Sequence, residues 1–72
     1  MKPLEIKGAR VRLGYTQQDV ADRLGLSLSS YKGREDGKTK FTIEEVPKLA
    51  EILELSMGQI NDFLFDGELP VA

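Results

Sequence analysis

Cysteine and histidine are both missing from the 72 residues, which removes disulfide, thiolate and imidazole chemistry and leaves only carboxylates to hold a metal ion. No apolar run approaches the roughly 18 residues that span a bilayer, and Met1-Lys2-Pro3 does not lead into the uninterrupted apolar stretch of a secretion signal. A reducing, cytoplasmic setting agrees with these absences, and no membrane, metal or cofactor is expected. Repeats, low-complexity tracts and linkers are also missing, so residues 1–72 read as one domain. A chain this short buries only about 60 to 65% of its unfolded surface, which leaves no room for an enzyme cleft beside a core. With no phosphate-binding glycine motif and no small-molecule substrate expected, the sequence reads as a non-enzyme.

What is present is divided by charge. The net charge of −2 argues at first against a nucleic-acid partner, because phosphate binding normally shows as a basic domain. Yet residues 1–40 carry nine basic side chains against five acidic ones, whereas residues 41–72 carry Lys48 alone against seven carboxylates. Such asymmetry is either an ordinary solvated surface or the mark of one basic, phosphate-facing half.

Helical periodicity accounts for nearly the whole chain. The spacing predicts helices over about 4–13, 17–24, 28–35, 43–54 and 57–65, with an irregular tail at 66–72. Ile6, Ala9 and Leu13 fall on the inward face of the first helix, and Gly14 stops it. Thr16 caps the second, with Asp19 in its first turn where the helix dipole favours negative charge. Thr42 and Glu45 form a capping box for the fourth helix, whose Val46, Leu49, Ala50 and Leu53 face the core. Ser56 and Gln59 open the fifth in the same way, with Ile60, Phe63 and Leu64 inward. Pro47 conflicts with a helix from residue 43, since it removes a backbone donor and disfavours helical geometry at Val46; a distorted first turn or a later start is expected.

The most informative stretch is QQDVADRLGLSLSSYKGRED, residues 17–36. Val20 and Leu24 lie one turn apart on one face, and Ala21 is small enough to admit a neighbouring helix. Gly25 reaches the left-handed conformation that ends a helix, Leu26 plugs the corner, and Ser27 caps a second helix that carries Tyr31 inward. That pattern is a helix-turn-helix, the motif that lays its second helix in the major groove of DNA.

With Thr16-Gln17 leading into this pattern and Glu35-Asp36-Gly37-Lys38-Thr39-Lys40 following it, the chain resembles the lambda Cro and repressor family, also called XRE-type regulators, over about residues 4–65. The resemblance implies an all-α, compact five-helix domain of the lambda repressor-like type, with the helix-turn-helix formed by helices 2 and 3. It assigns DNA phosphate contacts to Arg10, Thr16, Gln17, Lys38, Thr39 and Lys40, and base readout to Ser27, Leu28, Ser29, Lys32 and Gly33. Helical spacing puts Leu28 about 60° from the inward Tyr31; it either meets a thymine methyl or packs against helix 2. Glu35 follows Tyr31 by four residues and so points inward, where an unpaired carboxylate is costly. The resemblance supplies Arg10 as its partner.

Two residues depart from the family pattern. Arg34 stands where an apolar residue is usual, so its stem covers the core edge while its guanidinium reaches outward to Asp36 or a phosphate. Gly33 replaces a side chain that often touches bases, which thins the readout. The implied function is a sequence-specific regulator that binds double-stranded DNA as a homodimer on a palindromic operator, in the manner of a phage or prophage Cro-like repressor. Met57 and Ile60 are the dimer-interface candidates, Met57 being alternatively a core filler. Without a second oligomerisation domain, the chain reads as either a minimal regulator or an excised DNA-binding domain. The competing readings are an antitoxin-type autoregulator of a toxin pair and a protein-interaction module that kept the fold without DNA binding.

Overall fold

Each helix starts and stops where side-chain chemistry satisfies its free backbone groups. The structure, a computed structural model, describes residues 1–68; residues 69–72, the end of the expected irregular tail, lie outside the described residues. Helix α1 spans Pro3–Arg12, with proline in its first turn, where its missing N–H is not needed. Helix α2 spans Gln17–Leu24 behind a Thr16–Asp19 capping box. Helix α3 spans Leu28–Glu35 behind Ser27, whose hydroxyl accepts the Ser30 N–H at 3.1 Å. Helices α4 (Glu45–Leu53) and α5 (Met57–Phe65) follow, the latter behind the Ser56–Gln59 box. Between α2 and α3, Gly25 takes φ 72°, and the Leu26 N–H reaches back to the Ala21 carbonyl at 2.9 Å. This left-handed cap folds the chain sharply enough for α3 to cross α2.

The fourth helix begins later than the periodicity alone predicts, at Glu45 rather than residue 43. The reciprocal Thr42–Glu45 hydrogen bonds do form, with the Thr42 N–H donating to Glu45 Oε1 at 3.0 Å and the Glu45 N–H to Thr42 Oγ1 at 3.2 Å. They close a turn ahead of the helix, so Pro47 falls in the first helical turn, where a missing donor costs least.

Ile6 and Ala9 of α1, Val20, Ala21 and Leu24 of α2, Tyr31 of α3, Leu49 and Leu53 of α4, and Leu55 and Ile60 around α5 make one buried cluster. Helix α2 packs on α3 and α4, α1 packs on α3 and α5, and α4 meets α5. Leu13, expected inward, is only half-buried, because α1 ends at Arg12 and Leu13 serves as its cap. Phe63 and Leu64 line the core edge half-buried. No helix among the described residues is long and apolar enough to cross a membrane.

Candidate nucleic-acid interface

The outward face of α3 and the loop behind it form one surface. Leu28, Ser29, Lys32, Gly33 and Asp36 share a shallow open depression with Lys38 and Thr39. The loop is bent back over the end of α3 by its own backbone: the Lys38 and Thr39 N–H groups both donate to the Gly33 carbonyl, at 2.9 and 3.2 Å. Gly37 supplies the required positive φ of 83°. Four base-readout candidates, Leu28, Ser29, Lys32 and Gly33, are thereby placed beside two phosphate candidates, Lys38 and Thr39. Lys32, Lys38 and Lys40 are exposed, and Leu28 is half-buried, as its angular offset from Tyr31 requires. Gly33 leaves open space in this surface, since an added Cβ would meet only Thr39 Oγ1, at 3.6 Å.

Ser27 has a prior engagement. Besides accepting the Ser30 N–H, its hydroxyl donates to Ser30 Oγ at 3.0 Å, so it is first the cap that orients α3. Thr16 holds the equivalent place on α2: the Thr16 N–H donates to Asp19 Oδ2 at 2.8 Å. Hydrogen bonds from Thr16 hold the Asp19 carboxyl below its ordinary pKa, so the box stays charged at neutral pH.

Behind this surface lies the expected ion pair. Arg10 Nε donates to Glu35 Oε2 at 2.9 Å and Arg10 Nη2 to Glu35 Oε1 at 3.1 Å, a two-pronged contact with both residues under a tenth exposed. A third donor, Arg10 Nη1, is taken by the Tyr15 carbonyl at 2.8 Å. Arg10 is therefore an internal clamp between α1, the α1–α2 turn and α3, and burial keeps its guanidinium from the phosphate role also expected of it. Gln17 joins the same network, its amide donating to Glu35 Oε1 at 3.3 Å, which seats the start of α2 against the end of α3. Tyr31 is wholly buried beside this pair, and its hydroxyl has no hydrogen-bond partner among the described residues. Burial, and then the neighbouring Glu35, push its pKa well above the ordinary value.

Two other expectations need correction. Arg34 does not reach Asp36: its Nε donates to Glu45 Oε1 at 2.7 Å and its Nη1 to the Ser30 carbonyl at 3.2 Å, which turns the guanidinium back onto the protein. Burial alone would raise the Glu45 pKa, but the Thr42 backbone N–H and the Arg34 guanidinium outweigh it and hold the carboxyl below its ordinary value. The partnership was invisible in the sequence, because the two residues lie on different helices; the only hint was an arginine at a position that favours apolar residues. The second correction is Ile60, which at 1% exposed is core and unavailable to a partner, whereas Met57 at 73% is open. On α2, Arg23, one of the nine cations of the basic half but not among the expected phosphate contacts, has its guanidinium 4.7 Å from the Tyr15 ring centroid.

Comparison with known proteins agrees with this geometry. The chain is 39% identical over 51 residues to the transcriptional repressor RstR of the cryptic phage CTXphi in Vibrio cholerae serotype O1, covering 71% of this chain and 46% of that protein. It is 37% identical over 62 residues to YonR of Bacillus subtilis strain 168, described as an SPbeta prophage-derived uncharacterized HTH-type transcriptional regulator, covering 86% of this chain and 54% of that one. The chain thus spans about half the length of these curated relatives. No solved structure matches it significantly. A helix-turn-helix family model matches residues 6–60, from the first buried residue of α1 to the core of α5. On that match and on the α2–turn–α3 geometry, the chain belongs to the XRE-type helix-turn-helix family.

Proposed function

We propose that this chain is a sequence-specific, double-stranded-DNA-binding transcriptional regulator that lays α3 in the major groove and acts as a homodimer on a palindromic operator, as a Cro-like repressor does. The observation that carries this reading is the α3 surface: Leu28, Ser29, Lys32 and Gly33 face outward in one depression with the Lys38–Thr39 backbone folded beside them. Groove-facing side chains flanked by cations are what base readout and phosphate anchoring require together. The resemblance to two phage-derived regulators, one of them named a repressor, supports the same assignment.

Among the phosphate contacts, Lys38, Thr39 and Lys40 hold one flank, and Thr16 and Gln17 supply the other from the start of α2, where the helix dipole favours an anion. Dimerisation uses a surface around the exposed Met57. A mobility-shift titration against random duplex at rising salt tests the core of the proposal: a DNA binder gives a complex whose log affinity falls steeply with log salt. Absence of any complex at low salt would leave a protein-interaction module as the better reading. Selection of bound duplex from a random pool then supplies the operator. Sedimentation with two half-sites about 10 base pairs apart tests the dimer, which a one-to-one complex on the full site would refute.

A further inference from the structure

We infer that Arg34 and Glu45 are positioning residues for DNA binding: their ion pair braces the Asp36–Glu44 segment, so that Lys38 and Lys40 are held at phosphate distance from a groove-bound α3. This rests on the proposed DNA-binding role of α3. The segment leaves the end of α3 and re-enters at α4, and its two halves are anchored differently. The near half is tied by the Lys38 and Thr39 N–H groups to the Gly33 carbonyl. Beyond Thr39, the far half depends on the tilted Tyr31–Phe41 ring contact, with centroids 6.4 Å apart, and on Thr42. The Thr42 N–H donates to Glu45 Oε1, the same oxygen that accepts Arg34 Nε at 2.7 Å. Arg34 is itself fixed, because its Nη1 donates to the Ser30 carbonyl of α3.

Glu45 thus joins the far stem of the loop to a rigid point on the recognition helix. Lys40 sits between the two anchorages. Both side chains of the pair are largely sheltered, at 16% and 12% exposure, so the contact is screened less than a surface pair. A lysine on an unheld loop contributes charge but loses rotamer and backbone freedom on contacting a phosphate; a held one has already lost much of it.

Glu45→Gln separates bracing from charge. Glutamine keeps the capping oxygen for the Thr42 N–H, so the helix start survives. It also removes one negative charge and reduces the Arg34 contact from an ion pair to a neutral hydrogen bond, so on electrostatics alone the variant should bind duplex more tightly. The bracing inference predicts the opposite. Random-duplex affinity at moderate salt should fall by roughly 3-fold, the contribution of about one phosphate contact, and the slope of log affinity against log salt should shrink by about 0.9. In a double-mutant cycle, Glu45→Gln should cost little further affinity once Lys40→Ala is present.

A DNA-free measurement runs alongside. Amide hydrogen exchange at Thr42 should quicken in Arg34→Met, which removes the tie of the shared Glu45 oxygen to α3, while exchange at Val20 and Leu24 in the core stays slow. Unchanged Thr42 protection in Arg34→Met, or unchanged or tighter duplex binding by Glu45→Gln, would overturn the bracing role. If the parent protein binds no duplex at all, the DNA-binding reading fails and the positioning role with it, whereas a parent that binds while Glu45→Gln binds equally well refutes the positioning role alone.

Discussion

Removing one member of the Arg10–Glu35 pair should cost far more than a surface ion pair is worth. Glu35 is 2% exposed and Arg10 8%, so neither charge left behind can recover its hydration. In Glu35→Gln the guanidinium keeps the Tyr15 carbonyl but loses its counter-charge. In Arg10→Met the carboxylate keeps only the Gln17 amide, at 3.3 Å, among the described residues, and the Tyr15 carbonyl loses its donor. Breaking a buried pair in this way costs about 3–5 kcal/mol, against at most about 1 kcal/mol for an exposed one. Arg10→Met should lie at the upper end, since it orphans both a charge and a carbonyl. For a chain of this size, whose whole stability is about 4–11 kcal/mol, that is a large share. At roughly 4–8 °C per kcal/mol, each variant should melt at least about 12 °C below the parent. Circular-dichroism melts at neutral pH, with urea titrations to obtain free energies, read this directly. Both variants melting within about 4 °C of the parent would show that the pair is structurally idle and that its burial has been misjudged.

Lys40→Ala should weaken binding to specific and random duplex alike and lower the salt slope by about 1, whereas Leu28→Ala should lose at least about 1 kcal/mol chiefly on the selected site. A lower melting temperature for Leu28→Ala with an unchanged specific-to-random ratio would assign Leu28 to packing. Ile60→Ala should destabilise the fold by about 2–5 kcal/mol because it empties a core position, while Met57→Glu should leave the melting temperature nearly unchanged and abolish dimer sedimentation on DNA. Equal melting losses in both would contradict their opposite burial. Since the folded state raises the Tyr31 pKa, stability should be complete below the ordinary value of 10.0 and fall as pH rises above it. Tyr31→Phe should fold normally, because the lost hydroxyl has no hydrogen-bond partner among the described residues, and should blunt that alkaline loss; phenolate absorbance and ellipticity recorded together in the parent decide it, two tyrosines ionising with the fold intact being the contrary result. Glu45 behaves oppositely: its depressed pKa adds stability at neutral pH that disappears as pH falls below about 4.5, so parent and Glu45→Gln melts should converge toward pH 3.

Local chemistry determined where this chain turns. Gly25, Ser27, Thr16 and Ser56 mark their helix ends in the sequence because a cap or a left-handed residue acts within four or five positions of itself, and α2, α3 and α5 begin, and α2 ends, where those residues require. The inward faces of α2 and α3 were legible for the same reason, since Val20 and Leu24 on α2, and Tyr31 and Glu35 on α3, each stand one helical turn apart. Pro47 showed that the fourth helix was in conflict, and the conflict resolved as a start at Glu45. The bidentate geometry of Arg10 and Glu35, 25 residues apart, required the helices to cross. So did the capture of Arg34 by Glu45 and the turning of Gln17 onto Glu35. Ile60 and Met57 sit three residues apart on one helix, yet one is core and the other open, because the placement of α1 and α4 against α5 decides which side of α5 is covered. Periodicity is a property of a single helix and can be read from its residues, whereas the partner a long charged side chain selects depends on which helices lie within its reach, and that is decided by packing.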